Sequence, residues 1–144
     1  MYKHKVQYYE TDKMGITHHS NYIRWMEEAR IDFLEQLGFG FDKLEQGGII
    51  SPVLSVECTY KKPTTFPQEI SIEVRLLEFR GAKLKIGYEM RNEAGELVCE
   101  AASGHCFLNA KGRPVRLQKD FPEFFAALTA HLPSEEIAPE RPHA

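Results

Sequence analysis

The run YYETDKMGITHHSNYIRWMEEAR, residues 8–30, decides how this chain is read. Its second half has helical spacing. Tyr22, Trp25, Met26 and Ala29 recur at three- and four-residue intervals, and Phe33 and Leu37 continue the stripe. Arg24, Glu27, Glu28, Asp32 and Glu35 fill the other side, so the helix is amphipathic and its stripe is wide enough to lie on a sheet. Ser20 or Asn21 can cap it, because either side chain can accept from an orphan backbone N–H. Gly38 and Gly40 end it. The first half of the run is a loop with Gly15 as its flexible point. That loop carries Asp12, His18 and His19 directly ahead of the helix.

Upstream, residues 2–9 (YKHKVQYY) alternate, with Tyr2, His4, Val6 and Tyr8 on one face and Lys3, Lys5 and Gln7 on the other. Such alternation predicts a half-buried strand. Downstream, FDKLEQGG (41–48) reads as a turn, and after it the pattern is strand throughout: 53–61, 69–79, 82–91 and 96–108. RGAK (80–83) and NEAGE (92–96) are turn signals at hairpin distance, so three of these strands form an antiparallel meander. FPEFFAALTAHL (121–132) predicts a short closing helix. The tail from 133 to 144 is proline-rich and charged, a composition that predicts disorder. One helix stripe and one sheet face make a two-layer α+β domain over residues 1–132. A single helix cannot cover both faces or both edges of such a sheet, so the chain is expected to pair with itself.

Composition narrows the functional classes. A chain of 144 residues, 42% of them hydrophobic, can bury a sizeable core without cross-links. A net charge of −3 gives no electrostatic footprint for nucleic acid. Cys58, Cys99 and Cys106 are odd in number and lack metal-ribbon spacing, which argues for a reducing compartment. The polar, alternating N-terminus is not a signal peptide, and no apolar run is long enough for a bilayer. A cytoplasmic protein with no nucleic-acid partner and no membrane insertion is expected.

The chemistry sits before the helix. The first N–H groups of an α-helix lack internal partners and carry partial positive charge. They can therefore stabilise an oxygen that becomes negative during a reaction. Asp12, in the loop leading to them, could attack a carbonyl or deprotonate the water that does. That minimal kit suits a thioester, whose carbonyl is electrophilic and whose thiolate leaves with little or no protonation. Other readings of the same residues stand beside this one. An Asp here can be a cap or turn former, and adjacent loop histidines can be plain surface residues. Asp12, His18 and His19 could ligate a metal, but neighbouring histidines rarely point the same way and no second cluster supports them. No metal and no cofactor is expected. Trp25 and Met26 read as core.

The run YETDKMGITHHSNYIRWMEEAR resembles the signature of the hotdog-fold thioesterases, in particular the 4-hydroxybenzoyl-CoA thioesterase family and its Tol–Pal-associated acyl-CoA thioesterase branch. The matching positions are Asp12, Gly15, Ile16, Thr17, His18, His19, Asn21 and Tyr22. YKKPTTFPQEISIEV (60–74) and NAKGRPVRL (109–117) resemble the family's later segments, so the likeness spans about residues 2–120. The resemblance implies a curved antiparallel sheet wrapped around the long helix, and a homodimer or homotetramer with the active site at a dimer interface. It implies an acyl-CoA substrate. It places the catalytic carboxylate on Asp12, the oxyanion-hole N–H and a site histidine on His19, and an upstream tyrosine on Tyr8. It places the basic turn that meets CoA phosphates on Arg80 to Lys83, and the depth of the acyl pocket would be set by Tyr22, Trp25, Met26 and residues 49–54. Two departures stand out: His18 replaces an aromatic residue, and Gly81 and Ala82 thin the basic turn, leaving Lys61 and Lys62 as alternative phosphate partners. His105 reads as a pocket residue or a satisfied core histidine. Two other functions fit the fold, a hydratase or dehydratase acting on acyl thioesters and a non-catalytic acyl-CoA-binding module. The second needs a pocket but no carboxylate, and Asp12 argues against it.

Overall fold

A computed structural model describes residues 1–133. The tail expected to be disordered lies, from residue 134 on, outside the described residues. Five strands, β1 (Tyr2–Lys5), β2 (Val53–Tyr60), β3 (Glu69–Arg80), β4 (Lys83–Arg91) and β5 (Leu97–Cys106), form one antiparallel sheet in the order β1-β3-β4-β5-β2. The meander β3-β4-β5 is the expected one. The edges are β1, laid on β3 with Tyr2 opposite Ile72, and β2, laid on β5 with Tyr60 opposite Cys99. The long helix α1 (Ser20–Gln36) packs on β3 and also on β1 and β2, the two opposite edges. A flat five-strand sheet is about 19 Å across between its outer strands, and a helix is only about 10–12 Å thick. One helix can touch both edges only if the sheet curls around it.

The core lies in that curl. Tyr22, Trp25, Met26, Ala29 and Leu34 of α1 meet Ile70, Ile72 and Leu76 of β3, Ile86, Tyr88 and Met90 of β4, and Val98 of β5. The helical spacing of the first set and the alternation of the second are the sequence pattern made physical. Two short helices, α3 (Leu117–Asp120) and α4 (Pro122–Thr129), cap the open end through Leu117, Phe124 and Leu128. The closing helix expected over 121–132 is α4, which starts at Pro122 and stops at Thr129, and α3 ahead of it was not expected.

Three other expectations are corrected. The first strand stops at Lys5 rather than running to residue 9, because Tyr8–Glu10 fold into a 3₁₀ turn. The Glu10 carboxylate reaches back to accept the Gln7 N–H at 2.8 Å, which closes that turn and leaves Tyr8 76% exposed, off the buried face. The helix is capped by neither Ser20 nor Asn21. His19 is the N-cap residue, and the Asn21 amide instead donates to the carbonyls of Glu10 (3.0 Å) and His18 (3.2 Å). Residues Phe41–Gln46, read as a turn, are a short helix, α2, whose Leu44 plugs the core. No helix among the described residues is long and apolar enough to cross a membrane.

Candidate active site

The loop between the 3₁₀ turn and α1 is a small closed ring. Thr11 and Thr17 face each other across it, the Asp12 N–H donates to the Ile16 carbonyl (2.9 Å), and the Gly15 N–H donates to the Asp12 carbonyl (2.9 Å). Gly15 sits at φ +80°, a left-handed conformation that side chains disfavour, so glycine is required for the turn to close. Asp12 Oδ1 accepts the Met14 N–H at 2.8 Å. The turn-forming role of an Asp is thus real here, but it uses one oxygen. Oδ2 has no hydrogen-bond partner among the described residues, and Asp12 is half-buried. The carboxylate is aimed by its own turn and keeps a free oxygen.

The ring is bolted to the body by Thr64, which is fully buried. Its carbonyl accepts the Thr17 N–H (2.8 Å) and hydroxyl (3.1 Å), and its hydroxyl bonds those of Thr17 (2.7 Å) and Tyr22 (2.9 Å). Thr64 was invisible to pattern reading, since it lies in an ordinary polar loop. Its partner Thr17 falls within the run 8–30, and Thr64 itself within the segment 60–74 that resembles the family, but nothing in either pairs the two.

The helix N-terminus leaves one donor free. The His18 N–H goes to the Glu10 carbonyl (2.8 Å), and the Ser20 N–H to His18 Nδ1 (3.2 Å). The His19 N–H has no acceptor among the described residues. Stabilising a developing oxyanion requires such a donor, held in place and unspent. The His18 and His19 rings stack at 4.3 Å and are exposed, with the Tyr60 hydroxyl on the His19 carbonyl at 3.3 Å.

The remaining predicted residues are placed unequally. Tyr22 is buried, with its hydroxyl spent on Thr64, and burial raises its pKa. Trp25 is fully buried between His4 (4.6 Å) and Tyr22 (4.7 Å), and its indole N–H donates to Glu10 Oε2 at 3.0 Å. With no exposed surface, Trp25 supports the site from beneath rather than lining a pocket. Tyr8 lies edge-on to Phe66 at 5.8 Å, and no hydrogen bond joins it to Asp12 or His19. His105 is core: Nε2 bonds the Ser103 hydroxyl at 2.7 Å, and burial, with the charge of Arg30, pulls its pKa down to about 4.

Arg80 and Lys83 face each other across the β3-β4 hairpin, beside a cleft of about 660 Å³. That cleft is lined by Gly81 and Ala82 of the turn and by Pro114, Arg116, Gln118 and Lys119. None of Arg80, Lys83, Arg116 and Lys119 has an ion-pair partner among the described residues. Lys61 and Lys62, by contrast, are paired with Glu100 (3.6 Å) and Glu96 (2.6 Å). Arg116 and Lys119 are a gain over the sequence reading, because their distance from the hairpin in the chain hides their closeness to it. Among the described residues no cluster of three His, Cys, Asp or Glu could hold a metal ion.

This sheet and helix are those of the hotdog thioesterases, a class of thioester hydrolases. The chain belongs to the thioesterase-like superfamily, whose sequence model matches residues 6–128. It is 36% identical over 124 residues, 85% of this chain and 90% of the relative, to YneP of Bacillus subtilis, itself provisionally assigned as an acyl-CoA thioesterase. A DHNA-CoA thioesterase from Staphylococcus aureus has a TM-score of 0.85 at 32% identity, covering 90% of this chain and 87% of that one. The 1,4-dihydroxy-2-naphthoyl-CoA hydrolase of Thermosynechococcus vestitus is 24% identical over 93% of this chain and 90% of its own length.

The geometry makes one prediction about acid stability. Burial is the largest influence on the Glu10 carboxyl and by itself would raise its pKa. Hydrogen bonds from the Gln7 N–H, His4 and Trp25 together outweigh it and hold the pKa below the usual value. A carboxyl depressed in the folded state stabilises it fully above the unfolded pKa, about 4.3, and loses that contribution as pH falls through the folded value. Urea unfolding midpoints of the parent and of Glu10→Gln, taken from pH 7 to pH 3, should therefore converge toward the acid end. A gap that stayed constant or widened would contradict this assignment.

Proposed function

We propose that the chain hydrolyses acyl-CoA thioesters at the Asp12 ring, with the His19 N–H as oxyanion donor. The observation that carries this is the pairing of a turn-fixed carboxylate with one free oxygen and a helix-start N–H with no acceptor. As a base, Asp12 takes a proton from water and the hydroxide adds to the thioester carbonyl. As a nucleophile, it adds itself and water later cleaves the anhydride. In both routes the carbonyl oxygen becomes negative against the His19 N–H, the C–S bond breaks, and CoA leaves as thiolate. The names of the S. aureus and T. vestitus relatives support including aromatic acyl-CoAs beside aliphatic ones in a substrate panel. A place in the Tol–Pal-associated branch rests on the Asp12–Tyr22 run alone.

The nucleotide end of CoA belongs, in this reading, to the cleft beside Arg80, Lys83, Arg116 and Lys119. The Asp12 ring is tied to Thr64, just ahead of β3, and Arg80 closes the far end of that strand. Twelve extended residues span about 35–40 Å. That exceeds the pantetheine arm, so one substrate meets both only if the hairpin comes from a second copy. Edge strand β2, with Val53, Leu54, Val56 and Tyr60 exposed, offers the surface for pairing. These observations support a homodimer, or a homotetramer built as a dimer of dimers.

Asp12→Asn preserves size and the Met14 contact while removing the base. Thiol release from an acyl-CoA should show kcat down at least ~10²-fold with unchanged unfolding behaviour. Parental turnover in this variant would remove Asp12 from the mechanism. Light scattering at micromolar concentration should give a mass of at least two 16.6 kDa chains, and a fully active monomer would defeat the shared site. Arg80→Ala should raise KM for acyl-CoA with little change in kcat, because phosphate contacts are alike in ground and transition states. A truncated thioester lacking the nucleotide should have the same KM in both proteins. A matching KM penalty on that substrate would mean that Arg80 acts through shape instead.

A further inference from the structure

Glu10 is a buried acid for which the proposed chemistry has no direct use. It is 5% exposed and lies two residues before Asp12. Its carboxylate gathers three separate pieces of the fold. Oε1 accepts the Gln7 N–H (2.8 Å) and meets His4 Nε2 of β1 (2.9 Å), and Oε2 accepts the Trp25 indole N–H of α1 (3.0 Å). A second layer backs this one, since Glu28 Oε1 meets His4 Nδ1 at 3.1 Å and accepts the Tyr2 hydroxyl at 2.7 Å. Glu10 also works through its backbone: its carbonyl accepts the His18 N–H (2.8 Å) and the Asn21 side-chain amide (3.0 Å).

We infer that Glu10 is the positioning residue of the site, fixing both the Asp12 turn and the choice of His19 as the free donor. The inference rests on the reading of Asp12 and His19 given above. A residue held at its side chain by strand and helix cannot slide or rotate, so its carbonyl stays on the His18 N–H. That consumes the His18 donor, His18 Nδ1 consumes the Ser20 donor, and His19 is left. A shift of one residue in this register would offer a different N–H. The same anchor sets where the Asp12 ring begins, one residue after Glu10's neighbour Thr11. Misplacing a catalytic group by about 1 Å can cost ~10²-fold, so a modest loosening is enough to be seen.

The test is a double-mutant cycle on kcat, run with Glu10→Gln, Asp12→Asn and the pair. Glutamine keeps the size of the side chain and one acceptor, but cannot accept from Gln7, His4 and Trp25 together as a carboxylate does. Glu10→Gln alone should lower kcat ~10-fold or more, with KM within about 2-fold, at a temperature where circular dichroism shows it folded. In the Asp12→Asn background the same change should cost less than 2-fold, because the group it positions is already gone. If Glu10→Gln proves too unstable to assay, Trp25→Phe removes the indole donor together with part of the buried ring volume and, where it stays folded, should lower kcat in the same direction, several-fold, with KM little changed. A variant that melts earlier yet turns over like the parent would make Glu10 merely structural and overturn the inference. Full additivity in the cycle would overturn it as well. Parental activity in Asp12→Asn alone would instead sink the reading of the site, and so tells the two failures apart.

Discussion

A carboxylate removed from water needs donors close at hand, and for Glu10 those donors come from three places, strand β1, the 3₁₀ turn and helix α1. Leaving such a group half-satisfied costs several kcal/mol, more than most single contacts contribute. The constraint works in both directions. Strand β1, the 3₁₀ turn and helix α1 must converge for the charge to be tolerated, and once they converge the loop beyond Glu10 has a fixed point of departure. Thr64 then fixes where the loop lands, by holding Thr17 and Tyr22. Between these two anchors the ring that carries Asp12 spans only a few residues.

The sequence reading is strongest where structure obeys periodicity. The α1 stripe, the meander and the hairpin turns are local patterns, each decided by neighbours three, four or two positions apart. The end of β1 and the cap of α1 were misjudged because side-chain hydrogen bonds, not hydrophobic period, decide them. Val6 is buried and continues the alternation, yet the strand stops because the Glu10 side chain closes a turn on Gln7. Asn21 looks like a cap, yet its amide is claimed by Glu10 and His18 carbonyls. Helix α2 was missed because FDKLEQGG holds too few apolar positions to show a helical period, and only the fit of Leu44 into the core justifies it.

The site was legible to a similar extent. Asp12 and the helix start stand out because a carboxylate next to unsatisfied N–H groups has chemical meaning by type and spacing alone. Trp25 admitted both a core and a pocket reading because an aromatic residue on a helix stripe looks the same whether it faces ligand or core. The indole N–H on Glu10 is a pairing across fifteen residues that no period announces. Arg116 and Lys119 were missed for the converse reason: they are ordinary surface cations in the chain, and the fold alone brings them to the cleft beside the hairpin.

The strand order has a bearing on how the protein is made. The first sixty residues supply both edges of the sheet, β1 and β2, and the whole interior of it comes later. Hairpins β3-β4 and β4-β5 close over short turns and can form as soon as they are synthesised. The edges must wait: Tyr2 has no strand partner until Ile72 exists, and Thr17 no tie to the sheet until Thr64 does. During translation the segment up to Gln36 therefore emerges with its helix stripe bare and the Asp12 ring unanchored, to be docked only once residues 64–72 have followed it. The segment that carries the candidate site is thus made ahead of Thr64 and Ile72, the residues that hold it in place.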